Sequence, residues 1–505
     1  MKQIILQWLL AQVEQRPDKT AVIFRGERIS YKQVYRKAKE VCLWLQKNGI
    51  RRGERVIICA KNSDKFIYCI FGVLMNRACF VPVNPKIDKK QFWYILRNCE
   101  PDCILTDRNL SEEGLLEESP KVKAVSIEEC YEEDVMDISL QLFDENEEED
   151  LVAIIYTSGT SRFPKGVVER NRQVVFATTA INQVIKNTNA DTILCGLPLS
   201  FDYGLYQVFL SFQAGACLVL EEDFSKSMGI PKLLLEYEVT GFPGVPSLFN
   251  LLLRSRVLEY CEFPKLRYLT STGDTFSAGT IKKLKSLLPY VTVYPMYGLT
   301  ECKRVSIMPY GFDETRPEAV GLPLPGVTTK VVNEQNEEVP RGEIGQLVVD
   351  GPNIMDGYWN NFFETAIKYR YVEQEDRVLL YTGDLFRMDE EGYLYFEGRR
   401  ENFIKSRGFK VSPMEVEQVL YSIEGVNQAA VYGLQDSVLG EKVAATLQIT
   451  KKIDKKYIQK ECEGKLQMEK IPNEIRLVRT ELPKTINGKV DRKELKRMHL
   501  EEIES

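Results

Sequence analysis

Alternation of short apolar strands with helical stretches is the feature that most constrains the fold of this 505-residue chain. Runs rich in Val, Ile and Leu recur through the first part of the chain, and helical patterns such as 63–76 lie between them. The runs lie at 55–60, 79–84, 103–107, 151–157, 216–222 and 291–298. This alternation is typical of a mostly parallel sheet that is covered by helices on both faces. The sequence therefore predicts an α/β fold.

The pattern changes near residue 316. Short strands with Gly, Pro and Asn turns follow, as in a small β-barrel or a meander. Beyond Arg399 the chain becomes a compact, strongly charged α+β segment. We therefore predict two domains, a core at 1–398 and a smaller C-terminal domain at 399–505.

Three local patterns add detail. Residues 1–19 have an apolar stretch that is broken by polar residues, which favours an amphipathic first helix over a signal peptide. The acidic stretch 108–150 is expected to be a solvated surface connector. The Ser412-x-x-Glu415 pattern is a capping box and predicts the start of a helix.

Composition excludes several classes of partner. The chain has 67 Lys and Arg against 73 Asp and Glu, a net charge of −6, so no bulk attraction to nucleic acid or to an anionic membrane is expected. No apolar run approaches the ~18–20 residues that span a bilayer. Twelve scattered cysteines without a CxxC pair favour reduced, buried thiols. We expect a cytoplasmic protein with neither a nucleic-acid nor a membrane partner.

The chain has a single histidine, His499, close to its C-terminus in a tail that we expect to be frayed. A Ser-His-Asp or Cys-His mechanism would depend on that residue. Catalysis is therefore expected to rely on lysine, carboxylates, hydroxyls and a metal ion.

The stretch YTSGTSRFPKGV at 156–167 is rich in hydroxyls and glycines and contains one lysine. Lys165 precedes Gly166 and no Ser or Thr follows, so this is not a Walker motif. Backbone N–H groups, hydroxyls and a lysine in such a loop still suit phosphate. An ordinary polar turn is the alternative interpretation. The candidate phosphate-binding residues are Thr157, Ser158, Gly159, Thr160, Ser161, Lys165 and Gly166.

Other candidates follow strand ends farther along the chain. YGLTE at 297–301 ends in Glu301, a candidate magnesium ligand, although an ordinary strand-end turn would look the same. Asp384 follows a glycine and suits the two hydroxyls of a ribose, and Arg399 suits phosphate or ribose. Lys489 follows an Asn-Gly turn, where a lysine by itself is usually a solvated charge.

Together and in this order, these segments resemble the ANL superfamily of adenylate-forming enzymes. The superfamily includes acyl- and aryl-CoA synthetases, adenylation domains of nonribosomal peptide synthetases, and luciferases. The resemblance runs from RPDKTAVIF at 16–24 to NGKVDR at 487–492. It implies a large N-terminal domain of two packed, mostly parallel α/β sheets plus a small β-barrel, and a small mobile α+β C-terminal domain. It also implies ATP and Mg²⁺.

The resemblance assigns a role to each motif. The 157–166 loop would hold the β- and γ-phosphates, Tyr297 would stack on adenine, and Thr300 would contact the α-phosphate. Glu301 would bind Mg²⁺, Asp384 and Arg399 would bind the ribose, and Lys489 would bridge the acid and the α-phosphate. The implied catalytic residues are Lys165, Thr300, Glu301 and Lys489. The hinge would lie at Glu401, where the family usually has Asp, and Lys405 and Gly408 would face the thiol in the thioester-forming conformation.

The residues near the expected acid pocket resemble two different groups of the superfamily. Phe201 and Asp202 match the pair of amino-acid-activating members, in which the Asp binds the α-ammonium group, although Asp202 could instead cap the following helix. VPVNP at 81–85 and MYGLTE look more like acyl-CoA synthetases. The expected pocket residues are Phe201, Asp202, Tyr203, Tyr206, Pro243, Thr270, Thr272, Met296, Arg304 and Val305. Two tyrosines and a methionine predict a short pocket for a small or cyclic amino acid such as proline.

The long cationic side chain of Arg304 does not suit a pocket for a small or cyclic amino acid. It could pair with Asp202, bind an acidic side chain, or point away. The leading hypothesis is ATP-dependent activation of such an amino acid, followed by transfer to the phosphopantetheine thiol of a carrier protein in trans, because no carrier or condensation motif accompanies the chain. An acyl- or aryl-CoA synthetase is the alternative, and a degenerate binding protein is a third possibility.

Overall fold

The structure of the chain is a computed structural model. It describes residues 4–116, 122–131, 147–157, 163–224, 229–274, 276–373, 376–406, 409–436, 440–484 and 490–504. The described chain divides into two compact units. Unit 1 comprises Met1–Thr329 and Val349–Tyr381, and unit 2 comprises Lys330–Val348 and Thr382–Ser505. The predicted domain boundary between residues 398 and 399 stays a prediction, and so does the predicted hinge at Glu401.

The elements are numbered in chain order. The strands are β1 Thr20–Phe24, β2 Glu27–Ser30, β3 Arg55–Cys59, β4 Cys79–Val83, β5 Cys103–Thr106, β6 Lys123–Ser126, β7 Leu151–Thr157, β8 Lys165–Arg170, β9 Thr192–Cys195, β10 Cys217–Leu220, β11 Gly241–Gly244, β12 Tyr268–Ser271, β13 Thr292–Tyr297, β14 Ser306–Ile307, β15 Ala319–Pro323, β16 Thr328–Val332, β17 Gly345–Asp350, β18 Tyr369–Val372, β19 Arg377–Met388, β20 Leu394–Arg399, β21 Ile404–Ser406, β22 Phe409–Val411, β23 Val426–Asp436, β24 Gly440–Ile449 and β25 Glu474–Val478. The helices are α1 Ile5–Gln15, α2 Tyr31–Lys47, α3 Asp64–Met75, α4 Lys89–Cys99, α5 Asn171–Ile185, α6 Asp202–Ala214, α7 Ile230–Glu236, α8 Pro246–Arg254, α9 Ala278–Leu287, α10 Phe362–Lys368, α11 Pro413–Tyr421, α12 Lys455–Glu463 and α13 Arg492–Glu504.

Unit 1 contains two mostly parallel sheets, as the strand–helix alternation predicted. One has the order β6-β5-β3-β4-β7-β8, and only the hairpin of β7 and β8 is antiparallel among its register pairs. The other runs β13-β12-β11-β9-β10-β1-β2 and is parallel from β13 to β1. Strands buried on both faces explain the near-continuous apolar runs.

The helices of unit 1 begin where the sequence supplies a cap. Ser30 accepts from the Gln33 backbone while the Gln33 side chain accepts from the Ser30 backbone, and this box starts α2. Ser63 caps α3, in which ten consecutive residues from Phe66 are buried. Gly72 lets α3 approach α2, because a β-carbon there would lie 2.6 Å from the side chain of Val41.

Unit 2 is built from antiparallel strands and short helices. Within it β16, β17, the second half of β19, and β20 follow one another in this order, which fits a meander better than a closed barrel. A second sheet has the order β22-β21-β24-β23, with β25 parallel to β24. Ser412 caps α11 by accepting from the Glu415 backbone, so the predicted helix start is confirmed.

Three expectations about local structure are wrong. His499 is not in a frayed tail, because it is buried on α13 and its Nδ1 lies 2.7 Å from the Tyr432 hydroxyl. The segment 108–150 is not simply a solvated connector, since it contains β6 in register with β5. Lys405, which the sequence predicts in a turn just beyond the domain boundary, lies instead in β21 opposite Lys410. Each of these contacts joins residues that are distant in the chain or across a hairpin, where local composition carries little signal.

No helix in the described ranges is both long and apolar enough to cross a membrane.

Candidate active site

The carboxyl ends of β12 and β13 bring together the residues predicted for phosphate and acid binding. The two strands are parallel and adjacent, with Thr270 opposite Tyr294. Thr272 follows β12, and Thr300 and Glu301 follow β13. Parallel strands present their carboxyl ends at one edge, which is where α/β sheets bind ligands. The chain order alone thus places these groups at one edge.

The turn after β13 is held by close backbone packing. Gly298 cannot carry a side chain, because a β-carbon would lie 2.0 Å from the carbonyl oxygen of Lys303. Lys303 has a left-handed backbone with φ of 59°. The Asn353 side chain donates to the carbonyls of Cys302 and Arg304, at 3.0 Å each. This clamp fixes the segment on which Glu301 and Arg304 lie.

Glu301 is a buried carboxylate with two donors. The Tyr358 hydroxyl donates to Oε1, and Lys368 Nζ lies 3.0 Å from the same atom. Burial raises the pKa of Glu301, but the charge and hydrogen bond of Lys368 and the hydroxyl of Tyr358 outweigh it, so the pKa lies below its ordinary value. Glu301 is therefore ionised at neutral pH, as a magnesium ligand must be.

Lys165 begins β8 opposite Thr157, at the mouth of the β7–β8 hairpin. Its Nζ lies 2.6 Å from Glu364 Oε2 and 5.3 Å from the centre of the Tyr358 ring. Tyr358 thus contacts Lys165 through its ring and Glu301 through its hydroxyl. The lysine predicted to bind phosphate and the carboxylate predicted to bind a metal ion thus both contact Tyr358.

Helix α10 supplies partners that the sequence reasoning missed. Glu364 and Lys368 are one helical turn apart, so they share a face, and they pair with Lys165 and Glu301 respectively. The signal was present as an i, i+4 acid–base pair shortly after the GYW segment. It was overlooked because such pairs are usually solvated surface contacts.

Gly166 has a packing reason in addition to its predicted role. A β-carbon there would lie 2.6 Å from Ile154 Cγ2 and 2.9 Å from Tyr156 Cζ. Its carbonyl accepts from the Trp359 backbone at 2.7 Å. The glycine is therefore required by the hairpin itself.

Asp202 lies in the first turn of α6, where Phe201 is the N-cap residue and makes no side-chain cap. Asp202 does not fill the N-cap position, so that alternative is wrong in detail. Its Oδ1 accepts from the Tyr203 backbone at 2.8 Å, and its Oδ2 accepts from the Thr300 hydroxyl at 3.2 Å. The residue predicted for the acid and the residue predicted for the α-phosphate are in direct contact.

Two further hydrogen bonds involve other residues predicted for the acid pocket. The Tyr203 hydroxyl lies 2.7 Å from Thr270 Oγ1, and Pro243 is opposite Thr270 on the neighbouring strand. Arg304 donates to Thr272 Oγ1 at 2.8 Å. The other predicted pocket members, which share burial in unit 1, are Tyr206, Met296 and Val305, and Tyr297, which is predicted to stack on adenine, is buried as well.

Glu169 and Lys303 form a fully buried ion pair that sequence reasoning also missed. Lys303 Nζ lies 5.0 Å from the centre of the Tyr206 ring. Burial raises the pKa of Glu169 to about 7, although the charge of Lys303 opposes this. The signal was a charged residue inside the apolar strand β8. The ion pair connects the β7–β8 hairpin to the turn after β13.

Unit 2 carries the predicted ribose residues. Asp384 is opposite Arg399 across β19 and β20, and Arg399 Nε lies 3.5 Å from Asp384 Oδ1. Glu401 lies in the short 3₁₀ turn Arg400–Asn402. Lys405 is exposed, and its backbone N–H donates to Glu441 at 2.9 Å. The predicted residues Ser158, Gly159, Thr160, Ser161, Gly408 and Lys489 lie outside the described residues.

Comparisons with known proteins agree with this arrangement. A family model described as "AMP-binding enzyme" matches residues 9–359, and one described as "AMP-binding enzyme C-terminal domain" matches residues 415–489. The long-chain-fatty-acid–CoA ligase of Bacillus subtilis is 27% identical over 95% of this chain and 91% of its own length. Tyrocidine synthase 3 of Brevibacillus parabrevis is 27% identical over 96% of this chain, which spans only 7% of that synthase.

Solved structures give the same class. ATP-bound MatB from Rhodopseudomonas palustris aligns over 99% of both chains with a TM-score of 0.90 and 25% identity. The fold and the site thus define an AMP-forming ligase with a large α/β part and a smaller C-terminal domain. The chain belongs to the AMP-binding enzyme family, and its resemblance to the ANL superfamily is confirmed.

Proposed function

We propose that this protein uses ATP and Mg²⁺ to activate a small amino acid as an acyl-adenylate and then transfers the acyl group to the phosphopantetheine thiol of a carrier protein. Tyr358 carries the first half of the proposal. Its hydroxyl binds Glu301 while its ring contacts Lys165, so that a metal-binding carboxylate and a phosphate-binding cation converge. An ATP-bound structural neighbour supports the nucleotide.

The donor set fits a magnesium ion held chiefly by substrate. Magnesium is usually bound through one or two carboxylates plus phosphate oxygens, and Glu301 is one ionised carboxylate. When bound there, the ion neutralises phosphate charge. Lys165 supplies the protein's own charge on the pyrophosphate side.

The chemistry needs no general base. A carboxylate oxygen of the acid attacks the α-phosphorus, the bond from that phosphorus to the bridging oxygen breaks, and pyrophosphate leaves with the electron pair. The acid is already ionised at neutral pH. Because the reactants are both anions, positioning and charge neutralisation supply the rate enhancement. Thr300, which donates to Asp202, is proposed to contact the α-phosphate.

The remaining roles rest on the motifs. Lys489 is proposed to bridge the acid and the α-phosphate, and the loop residues at 158–161 to bind the outer phosphates. Tyr297 is proposed to stack on adenine, and Asp384 with Arg399 to bind the ribose. Lys405 and Gly408 are proposed for the thioester step, with Glu401 at the hinge.

Asp202 supports an amino acid as the substrate. It is a partly buried carboxylate next to Thr300, and an α-ammonium group would be a natural partner for it. Tyr203 and Tyr206 are buried, which supports a short pocket, for which proline is one candidate. The peptide synthetase relative supports a carrier-protein acceptor.

A CoA thioester is the second candidate. The fatty-acid–CoA ligase relative is matched over nearly its whole length, which supports CoA as the acceptor. The two acceptors use the same thiol chemistry, so the adenylation site does not separate them.

ATP–pyrophosphate exchange across a panel of amino acids and organic acids tests the first step. We expect exchange with at least one amino acid and loss of exchange in Lys489→Ala. Exchange confined to acids without an amino group would exclude the amino-acid proposal. Undiminished exchange in Lys489→Ala would exclude the role of that lysine.

Thioester formation tests the acceptor. The enzyme is given ATP, the best acid of the panel, and either CoA or a phosphopantetheinylated carrier protein. Mass spectrometry of the carrier and chromatography of CoA report the products. Product on CoA alone would exclude the carrier-protein proposal.

A further inference from the structure

Arg304 is a buried cation that makes one side-chain hydrogen bond among the residues that the structure describes. Its side chain lies on the segment after β13 and is only 7% exposed. One terminal nitrogen donates to Thr272, and the guanidinium lies 5.4 Å from the centre of the Tyr203 ring. Nε has no hydrogen-bond partner within the described residues. An arginine offers five N–H donors, so most of them have no partner among the described residues.

No carboxylate in the described ranges lies within ion-pair distance of Arg304. The neighbouring acids are engaged elsewhere: Glu169 pairs with Lys303, and Glu301 pairs with Lys368. Asp202 attracts the Arg304 charge but binds Thr300 instead. Burial lowers the pKa of Arg304 because desolvation outweighs the attraction of nearby groups. A buried charge is costly unless an anion compensates it.

The position of Arg304 shows where such an anion would be. Thr272 and Thr300 follow the adjacent parallel strands β12 and β13, so both are at the carboxyl edge. Tyr203, which the guanidinium faces, is next to Asp202, and Asp202 contacts Thr300. Arg304 therefore lies among the residues expected to surround the acid.

We propose that Arg304 binds a second carboxylate of the acid that is activated, so that the substrate is a dicarboxylic acid. The inference rests on the proposed adenylation and narrows its substrate class. The geometry favours carboxylate over a neutral polar group, because the planar fork of arginine matches two carboxylate oxygens at once. If Asp202 binds an ammonium group at the same time, the dicarboxylic acid is an amino acid with an acidic side chain, and proline is excluded.

Matched pairs of acids test the inference by ATP–pyrophosphate exchange. Wild-type enzyme is given aspartate and asparagine, glutamate and glutamine, succinate and succinamate, and also proline. We expect the best dicarboxylate to exceed its amide partner by roughly tenfold to hundredfold in kcat/KM, in line with one charge-assisted hydrogen-bonded pair.

Variants locate the effect. Arg304→Met should lower kcat/KM for the dicarboxylate to that of its amide partner, mainly through KM, while the KM for ATP stays within about twofold. Arg304→Lys should retain part of the preference, because it keeps the charge without the fork. Thermal unfolding checks each variant, and the wild-type pairs decide alone if Arg304→Met does not fold.

The outcomes separate the two proposals. Preference for amides or for proline in wild type, or an unchanged preference in a folded Arg304→Met, would overturn the inference and leave adenylation standing. Absence of exchange with every acid would overturn adenylation and the inference with it.

Discussion

Glu301 and Arg304 lie on one segment and are both buried, but their charges are balanced in different ways. Glu301 has a cation and a hydroxyl as partners, while Arg304 has one neutral hydroxyl and an aromatic ring. The phosphate side of the site is therefore compensated by the protein itself. The acid side is not, and its compensation is left to a ligand. With the proposed roles, magnesium and phosphate would displace protein contacts of Glu301, whereas the acid would supply Arg304 with a partner.

Lys303 lies between Glu301 and Arg304 in the chain, and its substitution is expected to change the free energy of unfolding more than any other variant considered below. Lys303→Met leaves the Glu169 carboxylate buried without a cation, and breaking such a pair costs about 3–5 kcal/mol. Burial already raises the pKa of Glu169 from 4.5 to about 7. In the variant, Glu169 should therefore be protonated at pH 5, where the loss of stability is smaller. The loss of stability should be largest above pH ~8, where the buried carboxylate would be charged. Urea unfolding at both pH values measures the difference.

The sign follows from linkage. An acid whose pKa is higher in the folded state loses stability as pH rises from its unfolded to its folded pKa. The double variant Glu169→Gln with Lys303→Met should remove this slope. Equal stability of Lys303→Met and wild type at both pH values would show that the pair is not coupled.

Glu301→Gln tests the compensated side directly. Removal of the carboxylate proposed to bind magnesium should reduce ATP–pyrophosphate exchange by roughly 10²- to 10³-fold, comparable to the loss of one group that stabilises transition-state charge. The exposed Glu314 serves as the control position, and Glu314→Gln should retain full activity. A loss smaller than about threefold in Glu301→Gln would exclude the metal role.

Gly166→Ala separates packing from phosphate binding in the β7–β8 hairpin. The added methyl group would overlap Ile154 and Tyr156, and overpacking of this kind costs about 1–3 kcal/mol. We expect a lower unfolding temperature together with a higher KM for ATP. An unchanged unfolding temperature with a raised KM would assign this glycine to nucleotide contact alone.

Lys368→Met gives the smallest effect and probes the pKa of Glu301. Lys368 helps to hold the pKa of Glu301 below its ordinary value, so removal of the Lys368 charge should raise the pKa of Glu301. The acid limb of the exchange profile should move to higher pH, and activity at neutral pH should fall by roughly fivefold or less, since partly exposed ion pairs contribute up to about 1 kcal/mol. Lys282→Met, on the exposed face of α9, is the control. A shift to lower pH would contradict the assignment.

Sequence reasoning succeeded where a residue's neighbours in the chain determine its structure. The apolar runs that became β3, β4, β5, β7, β10 and β13 are buried parallel strands, and a short continuous apolar run is visible in the sequence alone. Chain order also placed Thr300 and Glu301 at a strand end. The roles of Lys489 and of the loop residues 158–161 stay predictions.

It failed where partners are distant in the chain. The contacts of Glu169 with Lys303 and of His499 with Tyr432 join remote segments, and no periodicity announces them. The N-cap of α6 was misplaced by one residue, which local preference alone does not resolve.

The sequence by itself determined the α/β class and the family, because these depend on local pattern and on motif order. Only the tertiary structure decided which charges are compensated. Pairing of Glu301 with Lys368, and the lack of a carboxylate beside Arg304 in the described chain, depend on which side chains α10, β8 and the turn after β13 bring within a few ångströms. Electrostatic compensation is a property of distance in space, and distance along the chain does not encode it.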